Sequence, residues 1–510
     1  MNDSSHASAP AVKSPGETGA EVRTRFAPSP SGDLHVGNIR TATYCWAYAR
    51  RTGGTFVFRI EDTDKSRAAP EYIHAIIETM RWLGLDWDEG PEVGGGYGPY
   101  LQSQRMDIYR DWGRRFLEQG DAYHCYCTPE ELEERREKAR AEGRPPGYDG
   151  RCRNLTSGQR AAYEAEGRKP VLRFRMPPGK TTFVDLVRGE VTFEHEYISD
   201  FVLARADGTP LYTLAVAVDD VLMKITHVVR GEDLLSATPR QLAVYRAMGL
   251  AESNLPQFAH LPFVMGPDNT RLSKRHGATT IGAFRQRGYL PEAMCNYLAL
   301  LGWSPGDDRE FFSLAEMARE FDLARVNASP ARFDVKKLDA INGDWIRALG
   351  PDDFESRLVP FLQHAGLMSR EPTDEERRLV HGVAPLIQER VAHLTEAADM
   401  VGFLFVDDAH FTVDSEAAGR LLTAETRPAL EAGRSALEPA SEWEAAGIES
   451  ALRAALVDGL GLKPKHAFGP VRVAVTGRRV SPPLFESLAL LGRDRTLARL
   501  DRALGSVPAE

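Results

Sequence analysis

The chain has 510 residues, a length that predicts several domains, and its composition of 42% hydrophobic and 27% charged residues is typical of a globular protein. Its 63 Lys and Arg against 73 Asp and Glu give a formal charge of −10, which excludes attraction of phosphate by the chain as a whole and makes local basic patches decisive. Five cysteines do not support a disulfide framework, and no long apolar run predicts a membrane helix, so we expect a cytoplasmic protein without membrane contact.

The first part of the chain, residues 1–20, is small and polar, with one basic residue and no apolar stretch, so we expect a disordered tail rather than a signal or transit peptide. Strand-like and helical patterns then alternate, with strands over 22–26 and 55–60 and helices over 34–50 and 71–83. This alternation is typical of a parallel sheet with helices on both faces.

The pattern changes over 109–210, where a charged helix and short β-like runs predict an inserted α+β module. From Leu211 we expect apolar strands to resume, with 225–230 and 258–264 on either side of a helix over 239–248. Beyond this part the spacing becomes helical. The predicted boundaries are 1–20, 21–108, 109–210, 211–265, 266–346 and 347–510.

The first candidate site is the segment RFAPSPSGDLHVGN at 25–38, in which a predicted strand runs through a Pro-rich loop into a helix. Backbone N–H groups and the positive helix end near His35 suit a triphosphate, and Gly37 lets a flat base approach the backbone. A single His-x-Gly would indicate little, because most such histidines are surface or packed residues.

Two other predicted strand ends carry charged side chains. The first, over 55–60, leads into three carboxylates: Glu61, Asp62 and Asp64. Such like charge is costly unless a cation is bound there; the alternative is a solvated strand end. At the second, Arg230 closes an apolar strand, where a guanidinium can hold a carboxylate bidentately. The alternative of an ion pair between Arg230 and Glu232 or Asp233 stays open.

The fourth feature is the basic loop at 266–277, which contains Arg271 and Lys274. Alone, such a loop is usually a solvated face. Together with the segment 25–38, however, it resembles the paired signatures of class I aminoacyl-tRNA synthetases, in the form found in bacterial-type glutamyl-tRNA synthetases. Asn38 departs from the general class pattern, which has a second His there, and Arg271 replaces the usual first Lys with conservation of charge.

The resemblance implies an α/β Rossmann-like parallel-sheet catalytic domain with an inserted α+β acceptor-binding module, followed by an all-α helical anticodon-binding region. It also implies a glutamate–tRNA ligase that uses ATP with Mg²⁺, L-glutamate and tRNA(Glu), and we expect a monomer. The stretch 266–346 would then comprise the catalytic loop and a helical domain that contacts the tRNA stem.

Roles for single residues follow from the same resemblance. Lys274 and His35 are the predicted catalytic residues. The predicted ATP site comprises His35, Gly37, Asn38, Arg271, Leu272, Ser273 and Lys274. The predicted glutamate site comprises Arg25, Ala27, Ser29, Glu61, Tyr212, Arg230 and Asp233. Arg25 and Arg230 together require an anion, which explains a preference for glutamate over glutamine. The resemblance also places Asp62 and Asp64 near the tRNA 3′ end.

Three cysteines form a candidate metal site: Cys125, Cys127 and Cys152. A structural zinc site needs four ligands. Some glutamyl enzymes use a His two residues after the last Cys, but that position is Asn154 here. His124 or Tyr148 would have to complete the set, and three free thiols are the alternative.

The C-terminal part contains a basic cluster within an acidic chain: Lys463, Lys465, Arg472, Arg478 and Arg479. The resemblance implies that it belongs to a helical anticodon-binding domain, and we expect Lys463, Lys465 and Arg478 to contact tRNA. Ordinary surface charge around a helical core is the alternative.

Four other functions compete with a glutamate–tRNA ligase. A paralogue that glutamylates a modified tRNA base would resemble only the catalytic half. A glutaminyl enzyme would usually have Glu and Asn in the loop where this chain has Ser29 and Ser31. A nucleotidyltransferase that makes a cofactor shares the His-x-Gly turn but generally lacks the Lys274 loop. A non-catalytic RNA-binding module would give no reason for the motifs to occur together.

Overall fold

A computed structural model describes residues 21–64, 68–143, 147–277, 279–440 and 442–508, and of Lys274 the backbone alone. The predicted tail over 1–20 lies outside these residues. The chain divides into two compact units: the first is Met1–Ala283 with Met294–Asp334, and the second is Phe284–Ala293 with Val335–Glu510. Among the described residues, no helix is both long enough and apolar enough to cross a membrane.

The strands all belong to the first unit. In chain order they are β1 (Arg23–Phe26), β2 (Thr55–Phe58), β3 (Ala122–Cys125), β4 (Val171–Phe174), β5 (Lys180–Asp185), β6 (Gly189–Glu194), β7 (Phe201–Ala204), β8 (His227–Gly231), β9 (Gln257–Leu261), β10 (Val264–Met265) and β11 (Ala331–Arg332). The main sheet has the order β2-β1-β8-β9-β5-β6, and β3, β4 and β7 form a separate antiparallel sheet.

The main sheet is parallel from β2 to β5, and only β6 runs antiparallel, as the second arm of a hairpin with β5. The predicted parallel sheet is therefore confirmed. The β5–β6 hairpin falls inside the stretch 109–210 that we expected to be a separate module, yet it pairs with β9 in the main sheet. The predicted domain boundaries remain a proposal.

Ten α-helices precede residue 335 in the described part of the chain. They are α1 (Val36–Thr52), α2 (Pro70–Trp82), α3 (Met106–Gln119), α4 (Pro129–Ala141), α5 (Ser157–Ala165), α6 (Tyr212–Leu222), α7 (Thr238–Ala247), α8 (Ile281–Gln286), α9 (Pro291–Leu300) and α10 (Leu314–Glu320). One core lies between β8 and helices α6 and α7, where Leu214, Val228 and Tyr245 are buried together.

From residue 335 onward the described residues of the second unit form helices and no strand. These helices are α11 (Val335–Ala348), α12 (Pro351–His364), α13 (Asp374–Ile387), α14 (Leu394–Phe405), α15 (Ser415–Leu421), α16 (Arg427–Leu437), α17 (Ala445–Leu452), α18 (Pro464–Thr476), α19 (Leu484–Leu491) and α20 (Arg493–Ser506). The predicted all-α C-terminal region is confirmed.

One expected element is wrong. We expected apolar strands to resume at Leu211, but Tyr212–Leu222 is helix α6, and its residues from Leu214 to Asp220 are all buried. A short continuous apolar run predicts a buried strand and a buried helix equally well, because neither shows a polar face. The error matters for function, since α6 carries Tyr212 and two buried carboxylates.

Candidate active site

A cavity of about 580 Å³ opens where β1 and β8 end and α1 begins. These two strands are neighbours, but the chain leaves β1 towards β2 on one side of the sheet and leaves β8 towards β9 on the other. In open parallel sheets, ligands bind at such a reversal of strand order, outside the carboxyl ends of the strands. The cavity is therefore where the fold alone would place a ligand.

Most of the predicted site residues line this one cavity. They are Arg25, Ala27, Ser29, His35, Gly37, Asn38, Glu61, Tyr212, Arg230, Asp233, Arg271, Leu272 and Ser273. The predicted catalytic side chain of Lys274 lies outside the description, although its backbone belongs to a short 3-10 helix, Lys274–His276, that directly follows Ser273. Motifs from distant parts of the chain thus meet in space, while their individual roles remain predictions.

His35 caps the start of α1. The Gly37 N–H donates to His35 Nδ1 at 3.1 Å, and the His35 N–H donates to Asn38 Oδ1 at 3.3 Å. Asn38 thus completes a reciprocal cap at the position where the general class pattern has a second His. Because Nδ1 accepts, His35 carries its proton on Nε2 and offers a neutral donor beside the positive helix end.

The pKa of His35 is lowered from its ordinary value, first by partial burial and then by the cation of Arg271. Arg271 itself lies over the ring of Phe263, with its guanidinium carbon 4.5 Å from the ring centroid, and its Nη2 is 3.6 Å from a carboxylate oxygen of Asp233. Neutral His35 and cationic Arg271 both line the cavity.

Arg230 is another cation that lines the cavity, and it is only 4% exposed. Its guanidinium donates to five neutral acceptors: His260 Nε2 at 3.0 Å, Gln241 Oε1 at 2.7 Å, Thr238 Oγ1 at 2.9 Å, the Leu234 carbonyl at 3.1 Å and Tyr212 Oη at 3.4 Å. No carboxylate of the described residues forms an ion pair with Arg230.

The open alternative, an ion pair within the segment 230–233, is therefore wrong. Glu232 instead pairs with Arg188 and accepts the Phe263 N–H at 2.6 Å, while Asp233 turns towards Arg271. A buried charge is costly unless it is paired. The cavity thus contains a fixed cation whose hydrogen bonds are satisfied and whose charge is not.

Arg25 differs from this cation, because it already has an anionic partner. Its Nε lies 3.3 Å from Asp220 on α6, and Arg59 Nη1 donates to the same carboxylate at 2.9 Å. Arg59 also contacts Glu61 at 3.1 Å. Of the two arginines predicted to bind the substrate carboxylate, Arg25 is paired with a protein carboxylate and Arg230 is not; their role in binding remains a prediction.

This network extends beneath the cavity and balances its own charge. Its members are three cations, Arg25, Arg59 and Arg105, and three carboxylates, Glu61, Asp219 and Asp220. Burial alone would raise the pKa of Asp220, but Arg25 and Arg59 overcome it and lower that pKa below 3.8. The pKa of Glu61 is raised above 4.5, because burial outweighs Arg59 and Arg25 there.

The sequence-based prediction missed four members of this network: Arg59, Arg105, Asp219 and Asp220. A signal was present, since two adjacent aspartates interrupt the apolar run LAVAVDDVL, and buried carboxylates need buried cations. Which arginines supply them depends on the fold, because Arg105 and Asp219 are 114 residues apart.

Comparisons with known proteins agree with this geometry. Residues 21–340 match the family of class I tRNA synthetases (E and Q), catalytic domain, and residues 353–504 match an anticodon-binding domain. A glutamate–tRNA ligase of a Nocardioides species is 55% identical over 95% of this chain and 99% of its own length. The counterpart of Saccharopolyspora erythraea is 54% identical over 96% of this chain and 97% of its own length.

The chain belongs to the glutamate–tRNA ligase family. A crystal structure of the glutamate–tRNA ligase of Elizabethkingia meningosepticum, solved with its amino acid, matches this fold with a TM-score of 0.82 at 31% identity, and the match covers 96% of this chain and 100% of that one. The predicted family and fold are confirmed.

Some residues with predicted tRNA contacts lie outside the cavity. Asp62 is buried and accepts the Ser103 N–H at 2.8 Å and the Ser103 hydroxyl at 2.6 Å, so its carboxylate is engaged locally. Asp64 is half-buried. Neither residue lines the cavity, and their contact with tRNA remains a prediction.

In the second unit, the basic cluster is only partly available to an RNA. Lys463, Lys465, Arg478 and Arg479 are exposed around helix α18. Arg472 instead turns inward, where its Nη1 donates to the Pro482 carbonyl at 2.9 Å and to the Ser481 hydroxyl. Arg472 is therefore removed from the expected surface patch, because its guanidinium holds the loop after α18.

The three predicted thiols meet in the first unit. The sulfur atoms of Cys125, Cys127 and Cys152 lie within 4.8 Å of one another. The hydroxyl of Tyr148 accepts from the Cys125 thiol at 3.5 Å and from the Cys152 N–H at 2.8 Å. The pKa of the Cys125 thiol is lowered, because the neighbouring thiols donate to its sulfur. Asn154 is engaged elsewhere and accepts from Arg175 at 3.3 Å.

The charge network predicts a pH-dependent loss of stability on Asp220→Asn. The substitution leaves Arg25 and Arg59 without their shared carboxylate and should lower the free energy of unfolding by about 3–5 kcal/mol at pH 7. Because the folded-state pKa of Asp220 lies below 3.8, its contribution is complete above that value and is lost as the pH falls through the folded pKa. The difference in free energy of unfolding between the variant and the native protein should therefore become smaller below pH 3.8.

Urea unfolding followed by near-ultraviolet circular dichroism measures this effect. Asp107→Asn is the matched control, because the Asp107 side chain is 93% exposed and its pair with Arg110 is worth little. If Asp220→Asn lowers the free energy of unfolding at pH 7 by no more than the control does, the network does not stabilise the fold.

Proposed function

We propose that this chain activates L-glutamate with ATP and Mg²⁺ to glutamyl adenylate and transfers the glutamyl group to the 3′-terminal adenosine of tRNA(Glu). AMP and pyrophosphate are released. The observation that carries the proposal is the buried Arg230, whose charge no carboxylate of the described residues neutralises, in a cavity that also opens onto the start of α1. Membership of the glutamate–tRNA ligase family supports it.

The side-chain carboxylate of glutamate supplies the anion that Arg230 lacks. The longest hydrogen bond of the guanidinium, to Tyr212 at 3.4 Å, is the easiest to exchange, and Tyr212 lines the cavity. The incoming carboxylate accepts from Arg230 and from the Tyr212 hydroxyl. Glutamine brings no charge, so the uncompensated guanidinium disfavours it.

The ammonium group of the substrate is bound by a protein carboxylate. Glu61 lines the cavity and is held at 3.1 Å by Arg59, so its carboxylate can accept from the substrate ammonium group. Ala27 and Ser29, in the loop after β1, line the same wall and provide backbone contacts for the amino acid. Arg25 lines the bottom of the cavity and provides a further contact for the substrate carboxylate, although Asp220 already neutralises its charge.

ATP lies against α1 and the loop 266–277. His35 Nε2–H and the α1 N-terminus face the triphosphate, while Gly37 and Leu272 border the base, and Arg271, Ser273 and Lys274 hold the phosphates from the other side. The α-carboxylate of glutamate attacks the α-phosphorus, and pyrophosphate leaves. Donors that are fixed before the reaction stabilise the negative charge that develops. No protein nucleophile takes part.

The glutamyl group is then transferred to tRNA in the same cavity, again without a protein nucleophile. The terminal ribose hydroxyl of tRNA attacks the carbonyl carbon of the mixed anhydride, which gives an ester and AMP. We assign Asp62 and Asp64 to the surroundings of the tRNA 3′ end, and the exposed Lys463, Lys465 and Arg478 to the tRNA backbone in the anticodon region. The monomeric state and the cytoplasmic location are part of the same proposal.

Zinc is proposed for the thiol cluster in the first unit. Cys127 and Cys152 have their sulfurs 3.6 Å apart, close to the separation of two thiolates on one tetrahedral zinc ion. Cys125 and the Tyr148 hydroxyl complete four donor atoms, while His124 is not part of the described cluster. A zinc ion there would stabilise the module that holds β3 and α4; it takes no part in the chemistry.

The first test of the proposed function is exchange of pyrophosphate into ATP with glutamate, run with and without tRNA(Glu). Arg230→Gln should raise the glutamate KM by about 100-fold, because a charge-assisted contact is lost, and should leave the ATP KM unchanged. Arg246→Gln is the matched control, since Arg246 lies on α7 and pairs with Glu252 at the surface. An unaltered glutamate KM in Arg230→Gln would remove Arg230 from the amino-acid site.

A second test concerns Lys274. Lys274→Ala should slow adenylate formation by about 100- to 1,000-fold, because one preorganised donor to the transition-state charge is lost, with little change in tRNA affinity. Single-turnover kinetics and a filter-binding assay measure the two quantities. The control is Lys180→Ala, which changes an exposed lysine at the start of β5. Native exchange rates in Lys274→Ala would refute the assigned role.

The zinc proposal predicts about one zinc ion per chain in protein purified without chelator. Cys152→Ser should lose the metal, and Cys295→Ser, which changes a buried cysteine on α9, should retain it. Atomic absorption measures the metal content. Native protein that remains free of zinc after incubation with the ion would favour the interpretation as free thiols.

A further inference from the structure

One buried chain of polar side chains crosses the main sheet behind Arg230. Arg230 on β8 stands directly beside His260 on β9 in the strand register, and Asp185 ends the adjacent strand β5. Arg230 Nε donates to His260 Nε2 at 3.0 Å, and His260 Nδ1 lies 2.6 Å from a carboxylate oxygen of Asp185. Asp185 and His260 are 1% and 0% exposed.

This geometry fixes the tautomer of His260. Because Nε2 accepts from a guanidinium that cannot lose its proton, the imidazole must carry its hydrogen on Nδ1, and that hydrogen is donated to Asp185. Burial lowers the pKa of His260, Asp185 raises it and Arg230 lowers it, with a net decrease. His260 is thus a neutral ring with its lone pair directed at Arg230.

His260 differs in kind from the other acceptors around Arg230. Gln241, Thr238, Tyr212 and the Leu234 carbonyl all present oxygen atoms. Of these five acceptors, only the imidazole can accept a hydrogen bond from the guanidinium in one tautomer and repel it in the other. With the opposite tautomer, two N–H groups would face each other 3.0 Å apart, and Arg230 would have to turn away.

Asp185 in turn is held by the backbone. Its carboxylate accepts the N–H groups of His260 at 3.1 Å, Val187 at 3.0 Å and Arg188 at 2.9 Å. The carboxylate therefore cannot swing across to pair with Arg230 directly. It lies one imidazole ring away, so that it orients the acceptor without neutralising the guanidinium.

We propose that His260, oriented by Asp185, is a positioning residue that fixes Arg230 for the substrate carboxylate and thereby sets the selectivity for glutamate over glutamine. The proposal rests on the assignment of Arg230 to the amino-acid site under the proposed function. Neither His260 nor Asp185 lines the cavity, so both act through Arg230.

Two substitutions at His260 distinguish its hydrogen bond to Arg230 from its hydrogen bond to Asp185. In His260→Gln the amide oxygen reaches the place of Nε2 and still accepts from Arg230. In His260→Asn the shorter amide reaches only the place of Nδ1, so it keeps the bond to Asp185 and loses the bond to Arg230. The expected result is a glutamate KM about tenfold higher for His260→Asn and within about threefold of native for His260→Gln.

The ATP KM should stay native in both variants, and the ratio of kcat/KM for glutamate over glutamine should fall in His260→Asn only. A purely structural role predicts instead that both variants change both KM values alike. The matched control is His227→Asn, which changes a buried histidine on β8 that contacts Thr226 and Tyr48, not Arg230. It should lower the melting temperature and leave the glutamate KM unchanged.

Arg230→Gln, measured in the same assay, distinguishes the two levels of the proposal. If Arg230→Gln raises the glutamate KM and His260→Asn does not, the positioning role is overturned and the proposed function stands. If neither variant raises it, the assignment of Arg230 fails as well. A glutamate KM that rises equally in His260→Gln and His260→Asn also overturns the positioning role.

A measurement on the native protein keeps the test independent of whether a variant folds. Spectra of protein with ¹⁵N-labelled histidine report which ring nitrogen carries the hydrogen; the His260 signals are assigned as those lost in His260→Gln and shifted in Asp185→Asn. A protonated Nδ1 and an unprotonated Nε2 are expected at neutral pH. A protonated Nε2 would overturn the proposal, since it could not accept from Arg230.

Discussion

The site depends on one electrostatic constraint: a guanidinium is buried at the end of β8 with its hydrogen bonds satisfied and its charge left uncompensated. Burying a charge without a partner is costly, and a protein bears that cost only where the surrounding structure holds the group in place. Strand β9, helix α7 and the first residue of α6 all supply acceptors to Arg230. In the proposed function, the side-chain carboxylate of glutamate neutralises this guanidinium.

The rest of the site keeps that charge available. Directly beneath the cavity, three arginines and three carboxylates neutralise one another, so that none of those carboxylates needs to turn towards Arg230. Glu232 and Asp233, the nearest acids in sequence, are engaged by Arg188 and Arg271. In the proposed function, specificity for an anion therefore depends on the pairing of these nearby carboxylates with other arginines as well as on the position of Arg230.

The resemblance carried by the segments 25–38 and 266–277 predicted most of the residues that line the cavity. It also predicted the parallel sheet and the helical second unit. The sequence did not predict which charged side chains form ion pairs with one another. Arg25 and Asp220 lie 195 residues apart, and no local pattern indicates that Arg25 is already neutralised.

Other differences between prediction and structure have the same origin. The run at 211–216 lacks a polar face whether it forms a strand or a helix, so only the packing of α6 decides. The β5–β6 hairpin resembles an isolated β-module in sequence, yet its Asp185 connects it to β9 through His260. Arg472 belongs to a basic cluster in sequence but turns inward, because nearby backbone carbonyls are not visible in a charge pattern.

A crystal structure of this chain with bound glutamate tests the central claim most directly. We expect the side-chain carboxylate of glutamate to bind Arg230 and Tyr212, with Arg230 still donating to His260 and Arg25 still paired with Asp220. A structure in which Arg230 pairs with a protein carboxylate while the substrate carboxylate binds elsewhere would contradict it.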